Sequence, residues 1–128
     1  MKQLIAIGEA LIDFTALERG DLSSVSRFER NAGGAPANVA ACVARLGGRA
    51  ALLSKLGRDA FGDHLISVLS GNGVDVTHVL RTDRANTALA FVALDEKGER
   101  SFSFYRNPSA DMLLSEEVIP KQLFQSGG

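Results

Sequence analysis

The sequence predicts an α/β fold built on a largely parallel sheet. Three features carry that prediction. Strand-like runs at 3–8, 49–57 and 74–81 read as buried strands. Two stretches between them, 37–46 and 59–73, place apolar residues at helical spacing. Each of the first two strands is thus followed by a helix long enough to cross back over a sheet, the connection that parallel strands require.

"QLIAIG" (3–8) is a short apolar run ending in glycine and reads as the first strand. "GEALIDF" places two carboxylates, Glu9 and Asp13, at or just past its end. Residues 15–32 are polar and irregular, although "SVSRFER" (24–30) alternates as a strand would. In "NAGGAPANVAACVARLGG" (31–48), Pro36 suits the first turn of a helix, where a missing N–H costs nothing. Gly47 and Gly48 stop that helix. "RAALLSKLG" (49–57) reads as the next strand, and the helix over 59–73 puts Phe61, Leu65, Val68 and Leu69 on one face. "VDVTHVLR" (74–81) completes a strand–helix–strand–helix–strand order. "TALAFVALDEKGERSFSFYR" (87–106) departs from it: two strand-like runs around "DEKG" form a hairpin, which as an insertion reads as a flap or lid. A short helix is expected from Glu116.

Bulk properties narrow the function. The chain has 128 residues, enough for one ordinary domain or part of a larger protein. At 45% hydrophobic and 23% charged residues it can bury a normal core. A formal net charge of −1 with scattered lysines and arginines argues against a nucleic acid or an anionic membrane as partner. A lone cysteine, Cys42, rules out an intramolecular disulfide and suits a reducing compartment. Gly8, Glu9 and Asp13 interrupt the apolar start too early for a signal peptide, and no run approaches a membrane span. The expectation is a soluble cytoplasmic protein.

Several familiar sites are missing from the sequence. There is no G-x-x-x-x-G-K-[ST] loop, and Val76 occupies the third-glycine position after the G-x-G of "SGNGVDV". There is no G-x-S-x-G elbow, and His64 and His78 lack metal-ligand spacing. Cys42, among alanines, reads as a small buried helix residue.

What remains is Asp13, the Gly33-Gly34 pair and Asn38. Ligands of open α/β sheets bind beyond the carboxyl ends of the strands, where Asp13 and the helix start near Pro36 are expected. A carboxylate accepts two hydroxyl hydrogen bonds, an asparagine amide donates and accepts, and glycines let backbone N–H groups approach a ligand. Such a set suits a polyhydroxylated, uncharged molecule. Locally, Gly33-Gly34 is equally a tight turn, Asn38 a first-turn residue bonding its own backbone, and Arg106 a solvated strand-end charge.

"GEALID", "NAGGAPANVAACVARLGG", "SKLGRDAFGDHL", "NGVDVTHV" and "FYRNPSADMLL" stand in order along the chain. Together they closely resemble the N-terminal part of ribokinase-like sugar kinases of the phosphofructokinase-B type, fructokinases most of all, over residues 3–124. The resemblance implies a ribokinase-like α/β fold and transfer of the ATP γ-phosphoryl group, with Mg²⁺ and a monovalent cation as cofactors, to a sugar hydroxyl. It implies that Asp13, Gly33, Gly34 and Asn38 bind the sugar and that Arg106 reaches it. The 87–106 hairpin would be part of the lid and supply a homodimer contact. The glycines of "KLGRDAFG" would serve turn geometry. The family's second signature, which ends in the catalytic-base aspartate, is not among these residues. The 128 residues alone are therefore expected to bind sugar without phosphorylating it. The competing expectations are a sugar-acid kinase of the 2-keto-3-deoxygluconate type, in which Arg106 would pair with a substrate carboxylate, and a non-catalytic sugar-binding or dimerising fragment.

Overall fold

The structure is a computed structural model that describes residues 3–106 and 108–114. The short helix expected from Glu116 lies outside them. Strand β1 (Gln3–Ile7) pairs in parallel with β4 (Arg49–Leu53). Beyond Ser54 the chain continues as β5 (Lys55–Gly57), which pairs in parallel with β6 (Leu80–Thr82). The 49–57 run is therefore one line of chain broken at Ser54. Pairing carries through the break, because the Leu80 N–H donates to the Ser54 carbonyl at 2.9 Å. The 74–81 run is mostly not a strand: it meets β4 only at the Ala51–Asp75 bridge before β6 begins. The body thus has the parallel character expected, in shorter pieces.

Two helices cover the body. Helix α1 (Ala35–Arg45) carries Pro36 in its first turn and packs on β1 and β4, burying Ala37 and Ala40. Helix α2 (Ala60–Gly71) buries Leu65 and Leu69 against the core around Leu52 and Leu56. Alanines on α1 let its backbone lie close to the strands, while the leucines of α2 supply apolar area.

The remaining strands form a second, four-stranded sheet in the order β3-β2-β7-β8. These are β2 (Leu11–Ala16), β3 (Phe28–Gly33), β7 (Ala88–Leu94) and β8 (Arg100–Tyr105). The expected hairpin is present as β7–β8, turned by Asp95, whose Oδ1 accepts the N–H groups of Lys97 and Glu99, both at 2.9 Å. It is no separate flap, since β7 pairs in parallel with β2. The segment read as irregular contributes β2 and β3, an antiparallel pair, and the strand expected at 24–30 begins only at Phe28. One face of this sheet meets the core through Ile12 and Phe14, with Phe14 stacked on Phe91 (centroids 4.9 Å apart) and edge-on to Phe61 of α2 (5.6 Å).

The two layers are joined by an aspartate latch. Asp59, N-cap of α2, accepts from Gly62 N–H at 2.8 Å and from the Thr87 backbone N–H and hydroxyl at 2.9 and 2.8 Å. The Thr87 hydroxyl oxygen in turn accepts from Gly57 N–H at 3.0 Å. Arg81 closes the group by donating to the Gly57 carbonyl (2.9 Å) and to Asp63 (2.7 Å). Gly57 and Gly62 do not serve turn geometry, because neither has a positive φ. A Cβ on Gly57 would lie 2.7 Å from the Thr87 nitrogen, and one on Gly62 would lie 2.9 Å from Arg81 Nη2. These glycines admit the latch by having no side chain.

Burial opposes ionisation of Asp59, but its hydrogen bonds from Thr87 and Gly62 outweigh that and hold its pKa below the ordinary 3.8. A carboxyl lowered in this way stabilises the fold above the ordinary value and loses that contribution as pH falls through the folded value. In urea melts, Thr87→Val should lose about 1–3 kcal/mol, because a buried acceptor and donors are left unpaired. The stability gap between the wild type and Asp59→Asn should narrow once the pH drops below about 4.

Candidate functional site

The chain passes four times between the body and the second sheet: β1 to β2, β3 to α1, β6 to β7, and β8 to the 3-10 turn Ala110–Leu113. Of the sequence candidates, Gly33, Gly34 and Arg106 lie at these passages, whereas Asp13 and Asn38 do not. Glu9 lies in the first, Gly33 and Gly34 in the second, Thr87 in the third and Arg106 in the fourth.

Asp13 is not at the end of the first strand. It stands mid-way along β2, opposite Asn31 of β3 and Ala90 of β7. Cross-strand partners share a face, so Asn31, Asp13, Ala90 and Phe104 form one row across the sheet. The Asp13 carboxylate lies over Gly33: a Cβ there would overlap its Oδ2 and come within 2.9 Å of Cγ. Any other residue at 33 would displace the carboxylate. Gly34 has a separate reason. Its φ is +96°, and a Cβ would lie 2.6 Å from the Glu9 carbonyl oxygen, so the first and second passages touch here.

Asn38 sits exposed in the first turn of α1, and its backbone N–H donates to the Gly34 carbonyl at 2.9 Å. Its side chain lines a groove of about 600 Å³ together with Asn31, Ala37, Ala41 and Arg45. Asn31, the cross-strand partner of Asp13, lines the same groove, but Asp13 does not, so Asn38 and Asp13 share no pocket. Cys42, expected to be buried, is exposed and lines the same groove.

Arg106 is no free strand-end charge. It reaches back to the first passage, with Nη1 3.0 Å from Glu9 Oε2, and across to Asp111, with Nη2 2.5 Å from Oδ2. Ser109 donates its hydroxyl to the other oxygen of Asp111. Glu9 thus joins two candidates, pairing with Arg106 and acting electrostatically on Asp13. Burial, and then the neighbouring Glu9 charge, push the Asp13 pKa above its ordinary value.

Sequence reading missed Glu9 and Asn31 as partners. The signal for Glu9 was present in the paired carboxylates of "GEALID". Asn31 was hidden because its role comes from a β2–β3 register that no local pattern announced.

A carboxylate set within the sheet over a glycine, with an asparagine as cross-strand partner, can accept hydroxyl hydrogen bonds. The chain belongs to the pfkB family of carbohydrate kinases, whose model matches residues 1–128. It is 52% identical over 124 residues to a probable fructokinase-2 of Arabidopsis thaliana, covering 96% of this chain and 38% of that protein. Fructokinase-1 of Oryza sativa subsp. japonica is 50% identical over 123 residues, with coverage of 95% and 38%. The crystal structure of a Xylella fastidiosa fructokinase with bound ATP superimposes with a TM-score of 0.87 at 48% identity, covering 96% of this chain and 39% of that one. The chain therefore spans under two-fifths of these relatives' length. Among the described residues, no helix is long and apolar enough to cross a membrane.

A carboxyl whose folded pKa is raised favours the fold below its unfolded pKa and loses that contribution as pH rises through the folded value. Asp13 is therefore retained at a cost to stability at neutral pH. Asp13→Asn should raise the melting temperature at pH 7, with the gain disappearing as the pH falls below the Asp13 titration.

Proposed function

We propose that residues 1–128 form the sugar-binding part of a fructokinase, a cytoplasmic enzyme that transfers the γ-phosphoryl group of ATP to a hydroxyl of fructose. The observation that carries this reading is the Asp13 carboxylate, seated over Gly33 between Asn31 and Ala90. In this role Asp13 accepts hydrogen bonds from two adjacent sugar hydroxyls, and Asn31 and Asn38 offer amides on the groove side. Gly33 and Gly34 let backbone approach the ring without a side chain between. Arg106 closes the passage side through Glu9. Phosphoryl transfer depends on fixing the acceptor hydroxyl as much as on handling the phosphate, and these residues supply the first part.

ATP, Mg²⁺ and a monovalent cation would be the cofactors of the whole enzyme. Among the described residues, no three His, Cys, Asp or Glu side chains are grouped to hold a metal ion, so no step of the transfer is assigned to this segment. In this reading the general base belongs to a part of the enzyme outside these 128 residues. Asp13 does not substitute for it, because its assigned role is to accept hydroxyl hydrogen bonds.

The second sheet, with the 87–106 hairpin, acts as the lid and as a contact for a second copy. Phe102 and Phe104 are 53% and 58% exposed and stack with centroids 6.0 Å apart. They lie on the same sheet face as Asp13, leaving an apolar strip next to the sugar position.

Fructose should raise the melting temperature of the 128-residue chain, and Asp13→Asn should abolish that rise although the variant itself folds. Coupled ATP turnover with fructose should be absent from the chain alone; robust turnover lost in Asp13→Asn would overturn the reading. Sedimentation should show a dimer converted to monomer by Phe102→Ser with Phe104→Ser.

A further inference from the structure

Arg106 at the edge of a sugar site offers a guanidinium fork, the group best suited to hold a carboxylate by two parallel hydrogen bonds. A sugar acid would use that fork; fructose has no charged group to place there. The structure shows the fork already divided. Nη1 is held by Glu9 at 3.0 Å and Nη2 by Asp111 at 2.5 Å, two carboxylates from different passages of the chain. Asp111 is fixed in place: its side chain is only 6% exposed, and its second oxygen takes the Ser109 hydroxyl. Arg106 Nε is buried and has no hydrogen-bond partner among the described residues.

Charge points the same way. Two carboxylates face one guanidinium, and Asp13, which feels the Glu9 charge, adds a third negative group nearby. An incoming carboxylate could still reach the remaining N–H groups of Arg106, but it would have to sit beside two carboxylates that already neutralise the guanidinium. A neutral polyol meets no such repulsion. We propose that Glu9 and Asp111 are specificity-determining residues: by neutralising Arg106 and surrounding it with negative charge they make this site select an uncharged sugar over a sugar acid.

The inference rests on the sugar-binding reading above, and the test separates the two. Fructose and 2-keto-3-deoxygluconate are each titrated into the 128-residue chain. Affinity is read by calorimetry and contact with Arg106 by its Nε–H resonance. In the wild type, fructose should bind and the sugar acid should leave the Arg106 signal unmoved. In Glu9→Gln, and more so with Asp111→Asn added, affinity for the sugar acid should rise at least about tenfold, the size expected for removing one repulsive charge in a half-buried site. The Nε–H signal should then shift with it, while fructose affinity changes less than about threefold. Glu9→Asp should restore the wild-type preference.

The proposal is overturned if the wild type binds the sugar acid as tightly as Glu9→Gln does, or if both affinities fall together. A wild type that binds no fructose, with the gain at Arg106 still seen, refutes the fructose assignment and keeps the clamp. Fructose binding without that gain does the reverse. Glu9→Gln alone carries the comparison if the double variant does not fold.

Discussion

The constraint on which the structure depends is the close contact between separate passages of the chain from the body to the second sheet. At Gly34, backbone from the first and second passages would come within 2.6 Å of any added Cβ. Glu9, in the first passage, holds Arg106, in the fourth. Thr87, in the third, is held by Asp59 from the body. Each contact joins segments far apart in sequence, so each helps fix how the projecting sheet is oriented on the body. Burial of that sheet's inner face supplies the non-directional part, through Ile12, Phe14 and their aromatic neighbours.

This arrangement explains why chemistry-bearing residues collect where they do. A carboxylate within a sheet normally costs stability, and Asp13 carries the sign of that cost in its raised pKa. The fold tolerates it because Gly33 leaves room and because Asp13 remains partly solvated. Asp59 is the counterexample in the same chain. It is likewise a partly buried aspartate, yet its hydrogen bonds outweigh its burial and lower its pKa. One aspartate is satisfied by the protein, and the other keeps acceptor capacity for something else.

Much of the body was legible in the sequence because its signals are local. The helix after Pro36, the α2 face of Leu65 and Leu69, and the hairpin turn around Asp95 follow from spacing and turn chemistry. The second sheet was legible as a hairpin and as a strand over 24–30 that in the structure begins only at Phe28. Strand β2 has one face in the core and Asp13 on the other, and β3 runs Phe-Glu-Arg-Asn-Ala-Gly with little apolar alternation. Pairing, not pattern, makes them strands. The break at Ser54 is likewise invisible in "RAALLSKLG", since buried leucines, Leu53 and Leu56, stand on both sides of it.

By itself the sequence determined the residue types that any sugar site here would use, the α/β class, and the family through its ordered motifs. It also determined that residues 33 and 34 are glycine, without saying why. Tertiary structure decided the reasons: one glycine clears the Asp13 carboxylate, and the other takes a left-handed conformation against the Glu9 backbone. It decided too that Arg106 is held by Glu9 and Asp111 instead of standing in solvent. These outcomes depend on strand register and on contacts across some 20 to 100 residues of chain, distances over which side-chain periodicity carries no information.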